Sequence, residues 1–152
     1  MKIKLLSEGA KMPTKADNGA AGFDLYTPAE VTIKPGRNIV PLDIAMGICP
    51  GWEGQIRPRS GFSAKGMEGF GEDGKSLKRY DADVIIGTID CTYRGVVGVL
   101  VKSYEDKPFV IPAGTRIAQI VFSQCYTGEL ESVNELDETE RGDGGFGHTG
   151  TR

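Results

Sequence analysis

Asp90, Tyr93 and Arg94 put one acid, one phenol and one guanidinium within five residues, in the run Val84-Ile85-Ile86-Gly87-Thr88-Ile89-Asp90-Cys91-Thr92-Tyr93-Arg94-Gly95. β-Branched apolar residues precede this polar centre, and Val96-Val97-Gly98-Val99-Leu100-Val101 follows it, which is the pattern of a hairpin. Gly87 and Gly95 stand at its two ends, where a ligand can approach the backbone closely. The stretch reads as a nucleotide-reading hairpin. Taken alone it fits an ordinary turn better, because aspartate is a common turn residue, tyrosine and arginine are ordinary strand residues, and glycine often marks only a bulge.

Two further clusters carry chemistry. Arg59-Ser60-Gly61-Phe62-Ser63-Ala64-Lys65-Gly66 gathers arginine, hydroxyl and glycine, a group able to cup phosphate oxygens through charge and backbone N–H groups. Asp24 lies in Ala20-Ala21-Gly22-Phe23-Asp24-Leu25-Tyr26, an acid among small residues whose simplest role is to pair with a neighbouring arginine. Gly69-Phe70-Gly71-Glu72-Asp73-Gly74-Lys75-Ser76 matches a phosphate-loop pattern, but the buried strand before it and the helix after it are missing from the sequence. Glu72 and Asp73 would also repel phosphate, so this match is set aside.

The elements that must position these residues read as strands. Met1–Leu6, Glu30–Lys34, Ile39–Cys49 and the two runs around Pro112-Ala113-Gly114 alternate or are apolar, and no segment sustains a helical period. In the run after Gly114, Ile117 and Gln119 should share one face and Arg116, Ala118 and Ile120 the other. Turn signals recur at the spacing of an all-β protein, in keeping with 22 glycines and 8 prolines. At 152 residues the chain supports one domain with a substantial core. Residues 67–83 form a polar insertion, and 134–152, crowded with Glu, Asp and Gly, cannot build a core of their own.

Eighteen basic against 21 acidic residues, with no basic tract, argue against a nucleic-acid binder. Cys49, Cys91 and Cys125 are odd in number and lack metal-site spacing, so they read as reduced intracellular thiols. No stretch of 18 apolar residues or signal-like N-terminus is present, and a soluble, cytoplasmic protein without membrane association is expected.

Five segments in order resemble the motifs of the trimeric dUTP diphosphatase (dUTPase) family across nearly the whole chain. They are Ala21–Leu25, Pro58–Gly61, Gly87–Gly95, Gly114–Gln119 and Arg141–Gly150. The resemblance implies an all-β, jelly-roll-like distorted barrel. It also implies a homotrimer in which each active site draws on three subunits, with residues 1–133 as the barrel domain and 134–152 as a flexible, exchanged arm that closes over nucleotide. The spacing from Ser60 to Asp90 exceeds the family's usual one, through the 67–83 stretch. Val84 and Thr92 stand where the family often has Asn and Asp, which removes a side-chain amide contact to uracil and leaves the backbone to read the base.

By the same resemblance the reaction is hydrolysis of dUTP to dUMP and pyrophosphate, lowering dUTP and supplying dUMP for thymidylate synthesis. Asp90 is then the base that orients the attacking water, and Gly87, Thr88 and Ile89 meet uracil through the backbone while Tyr93 lies against the deoxyribose. Arg59, Ser60, Gly61 and Gln119 hold the phosphate chain. Arg141 meets the γ-phosphate, Phe146 stacks on uracil, and Gly147 and His148 complete the cover. Magnesium, Mg2+, rides mainly on the triphosphate, with Asp24 holding a metal-bound water. A dCTP deaminase-like enzyme and a non-catalytic regulator on the same fold are the alternatives.

Overall fold

Turn residues cut the chain into short strands. At Cys49-Pro50-Gly51-Trp52 proline presets the second position, Gly51 takes a φ of 80° that favours glycine, and Trp52 N–H donates to the Cys49 carbonyl over 3.1 Å. The Pro-Ala-Gly turn ends likewise, with Gly114 at φ 76° and its N–H donating to the Thr27 carbonyl over 2.8 Å. The computed structural model describes residues 1–71 and 73–145. Its strands are β1 Lys2–Leu5, β2 Phe23–Tyr26, β3 Val31–Ile33, β4 Gly36–Pro41, β5 Ile44–Gly47 and β6 Trp52–Arg57, then β7 Met67–Phe70, β8 Leu77–Tyr80 and β9 Ala82–Ile85. They continue with β10 Gly87–Ile89, β11 Gly98–Ser103, β12 Phe109–Ile111 and β13 Arg116–Gln124, and one short helix, α1 Ser60–Lys65, follows β6.

The strands form antiparallel sheets in the orders β10-β6-β13-β2, β3-β12-β7-β8, β4-β11-β9 and β1-β5. Apart from the β7-β8 hairpin, paired strands are not consecutive in the chain, and the result is the expected all-β, jelly-roll-like architecture. One apolar cluster fills it. Leu25, Ile56, Ile117 and Ile120 come from the first sheet, Ile33, Met67, Phe109 and Ile111 from the second, and Val40, Val84, Val99 and Val101 from the third.

Several sequence expectations change in physical detail. The stretch Ile39–Cys49 is not one strand: it breaks at Asp43, which takes a φ of 51°, a conformation that Asp tolerates better than most residues. β4 then pairs with β11 and β5 with β1. The hairpin around Asp90 is likewise split between two sheets. Its outer arms pair as expected, Leu100 opposite Ile85 and Val101 opposite Val84, but β10 leaves them after Ile86 to pair with β6. In β13 a bulge between Arg116 and Ala118 breaks the alternation, so Ile117, Ala118 and Ile120 are all fully buried and the two-face assignment fails. The first strand commits less than expected, since only Ile3 packs against the core while Leu5 remains 43% exposed. Ser60–Lys65, too short to show a period, is helical and buries Phe62.

Residues 67–83 are polar only on the outside. β7 and β8 form a hairpin that joins β12, Met67 is completely buried, and the Tyr80 ring stacks on Phe109 at 4.3 Å with planes 4° apart. The phosphate-loop match spans β7 and the turn. There the N–H groups of Lys75 and Ser76 donate to the Asp73 carboxylate at 3.2 and 3.4 Å, which lowers the Asp73 pKa. Amides that a phosphate loop would offer to a ligand are thus taken by a side chain, and no helix follows. Since Met67 is a core residue, Met67→Ala lowers the unfolding free energy by about 2–5 kcal/mol in a urea titration. A change within about 0.5 kcal/mol, typical of surface sites, would mark the hairpin as a detachable appendage.

Candidate active site

The turn after β10 is built to present its side chains. Tyr93 N–H donates to the Asp90 carbonyl over 3.0 Å, and Arg94 Nη1 donates to the carbonyls of Cys91 and Tyr93, both at 2.7 Å. Arg94 therefore holds the turn together. Tyr93 Oη donates to the Val96 carbonyl over 3.1 Å, which folds the ring back across Gly95. A Cβ at Gly95 would collide with that phenol, so the glycine leaves room for the ring in this position. The carboxylate of Asp90 is exposed and has no partner among the described residues.

Thr88, Ile89, Asp90, Tyr93, Val96, Val97 and Gly98 line a concavity of about 200 Å³. Its wall, β10, is the edge strand of its sheet, with β6 on one side only. Backbone N–H and C=O groups on its other side are available to a planar ligand. Val84 lies elsewhere. It is buried in β9 and packs in the core, outside this concavity, so the Asn-to-Val departure bears on packing.

A second cluster lies on β2, β13 and the entry to α1. Asp24 in β2 is opposite Gln119 in β13, which is opposite Arg57 in β6. Asp24 is 8% exposed and accepts from two guanidiniums, Arg59 Nε to Oδ1 at 2.8 Å and Arg116 Nη1 to Oδ2 at 3.2 Å. The pairing with an arginine foreseen for Asp24 is thus doubled. Gln119 Nε2 donates to the Pro58 carbonyl over 2.9 Å, and a Cβ at Gly22 would collide with the Gln119 carboxamide. Ser60 and Gly61 open α1 and are exposed. This surface gathers charge and hydrogen-bond donors suited to an anion. Arg116 was given no role by sequence reasoning, although its place in a segment otherwise headed for the core was the available signal.

The two clusters do not meet in one chain. Ile89 is opposite Gly54 and Gln119 opposite Arg57 on the two flanks of β6, which puts them about 14 Å apart from ordinary strand rise and spacing. Arg141 lies in the exposed segment beyond β13, its Nε donating to the Gly144 carbonyl at 2.8 Å, with no contact to either cluster. Phe146, Gly147 and His148 lie outside the described residues. Among the described residues no group of three or more His, Cys, Asp or Glu side chains could hold a metal ion, and both Asp24 oxygens are already engaged by arginines. The donor set fits an ion that arrives with its own oxygen ligands, such as a triphosphate, and not a site built by protein side chains. Cys49, Cys91 and Cys125 are free thiols, and no helix among the described residues is long and apolar enough to cross a membrane.

The dUTPase family profile matches residues 8–74 and 70–150. The chain is 44% identical to the deoxyuridine 5'-triphosphate nucleotidohydrolase of Syntrophotalea carbinolica over 99% of its own length and 96% of that protein's. It is 42% identical to the enzyme of the same name from Monkeypox virus, with 94% of this chain and 85% of that one aligned. Among solved structures it is similar to a mutant dUTPase of Staphylococcus bacteriophage 80alpha with dUpNHpp, at a TM-score of 0.82 and 27% identity, covering 98% of this chain and 97% of that one. It is also similar to a mutant dUTPase of phage phi11 described as coordinating a structural Mg(II) ion, at a TM-score of 0.74 and 25% identity over 89% and 97% of the two chains. With a concavity walled by an edge strand, an exposed carboxylate at its rim and a family match along nearly its whole length, the chain belongs to the dUTPase family.

Proposed function

We propose that this protein hydrolyses dUTP to dUMP and pyrophosphate, and that Asp90 is the base. The observation that carries this reading is the Asp90 carboxylate, exposed and without a partner among the described residues at the rim of the β10 concavity. Water held by Asp90 attacks the α-phosphorus, its proton passes to the carboxylate and then to solvent, and pyrophosphate leaves. A carboxylate is a weak base at neutral pH, so most of the acceleration comes from positioning and from neutralising the triphosphate. Magnesium, if it arrives with the triphosphate, would supply part of that neutralisation, and Asp24 is the carboxylate that would hold a water of the ion. The product dUMP is a thymidylate precursor, which suits a cytoplasmic enzyme that lowers dUTP and supplies dUMP.

Base and sugar selection follow from shape and backbone polarity. The free edge of β10 at Gly87, Thr88 and Ile89 offers N–H and C=O groups to uracil, and cytosine, with donor and acceptor exchanged, leaves buried groups unpaired. The Tyr93 ring, pinned by its bond to the Val96 carbonyl, fills the space a 2′-hydroxyl needs. Arg59, Ser60, Gly61 and Gln119 receive the phosphates.

Those phosphate residues come from a second copy of the chain, and the separation of about 14 Å across β6 within one copy supports that division. The assembly is a homotrimer. Ile39, Leu100, Ile86 and Val96 remain exposed on or beside the β4-β11-β9 sheet, an apolar surface of the kind that copies cover. Residues 1–133 form the barrel domain, and 134–152 form an arm that brings Arg141, Phe146, Gly147 and His148 to another copy's site. The exposure of nearly every residue from Gln124 to Gly145 supports an arm without a core of its own.

Asp90→Asn is the direct test. Turnover measured by pyrophosphate release falls by at least about 10²-fold while dUTP binding by calorimetry persists; turnover within a few-fold of the parent would sink the assignment. The shared site is tested in mixed trimers. A chain truncated after Glu140 but carrying Asp90 is inactive alone and regains turnover when combined with an Asp90→Asn chain whose arm is intact. Verified mixed trimers without recovery would mean that each arm serves its own chain.

A further inference from the structure

We propose that Arg116 is a positioning residue for the triphosphate, acting through Asp24 to keep the terminal nitrogens of Arg59 available to phosphate. This rests on the reading of Arg59 given above.

Arg59 is held by its inner nitrogen: Nε donates to Asp24 Oδ1 at 2.8 Å, while Nη1 makes only a long contact of 3.4 Å to the Arg116 carbonyl. A guanidinium normally prefers to meet a carboxylate with two nitrogens on two oxygens. Here the second oxygen is withheld, because Oδ2 accepts from Arg116 Nη1 at 3.2 Å. One carboxylate between two guanidiniums also leaves a net positive charge on this surface. Without Arg116, Oδ2 of a largely buried Asp24 has no partner, and the fork of Arg59 is the nearest donor able to satisfy it. Arg59 would then close on Asp24 and be lost to phosphate, in both charge and geometry.

The simpler role for Arg116 is to tie β13 to β2. Its side chain is 51% exposed, however, and the two strands are already joined by backbone pairing from Arg116 to Ile120. A pair open to solvent on the arginine side adds less to such a ladder than a fully buried one, and the affinity readouts below separate its effect on the nucleotide from its effect on the fold.

The two roles separate by phosphate count and by coupling. In Arg116→Met the KM and Kd for dUTP rise by about tenfold, as for loss of a charge-assisted contact, while kcat stays within about threefold and affinity for dUMP is unchanged. Arg116→Lys, which keeps a cation at Oδ2, recovers part of the dUTP affinity, and it serves as the test should the methionine variant fail to fold. In an Arg59→Met background, Arg116→Met has no further effect on dUTP. Unchanged dUTP affinity in Arg116→Met, an equal loss for dUMP, or additive losses in the double variant would each overturn the proposal. If Arg59→Met alone leaves dUTP affinity unchanged, the reading of Arg59 falls with it; if Arg59→Met weakens dUTP and Arg116→Met does not, only the present inference falls.

Discussion

Strand β6 is hydrogen-bonded on both flanks, to β13 from Gln119 to Gln124 and to β10 from Gly87 to Ile89, and the placement of the chemistry depends on this double pairing. Register in a sheet is an all-or-none quantity, because a slip of one residue turns every side chain to the opposite face. Gly54 and Ile56 must face inward, so Gln55 and Arg57 face away from the core, and the positions opposite them on either neighbour are decided at once. Gln119 and Asp24 follow in the same row. Ile89, buried beside Gly54, ends β10 and leaves the next residue, Asp90, to project from the rim.

Much of this was legible in local chemistry. Proline and glycine pairs marked the turns, β-branched runs marked the strands, and Tyr93-Arg94-Gly95 was visible as a group. The structure supplies the reason for that grouping: Arg94 caps the turn and Gly95 makes room for the phenol. The five segments were also recognisable in order, and the first four of them supply the residues of the two clusters.

What stayed hidden was non-local or one residue deep. Nothing near Gly87 in the chain announces β6 as its partner more than thirty positions earlier, so the hairpin looked continuous when it is divided between sheets. The bulge in β13 adds one residue and thereby buries both Ile117 and Ala118, which no alternating pattern conveys. Residues 67–83 read as a polar insertion because their inward-facing content is carried by a few side chains, chiefly Met67 and Tyr80, among many charged ones. Asp24 was read with one arginine and has two, because Arg116 arrives from 92 positions away.

The open side of β10 has a further consequence. A bare sheet margin is ordinarily a hazard, since any extended segment can zip onto it and start an aggregate. This margin is three residues long, with Gly87 at its start and the charged Asp90 just past its end. It is too brief and too abruptly ended to hold a polypeptide in register, yet it retains enough unpaired amide groups to satisfy a flat heterocycle. The same shortness that admits a small molecule shuts out another strand.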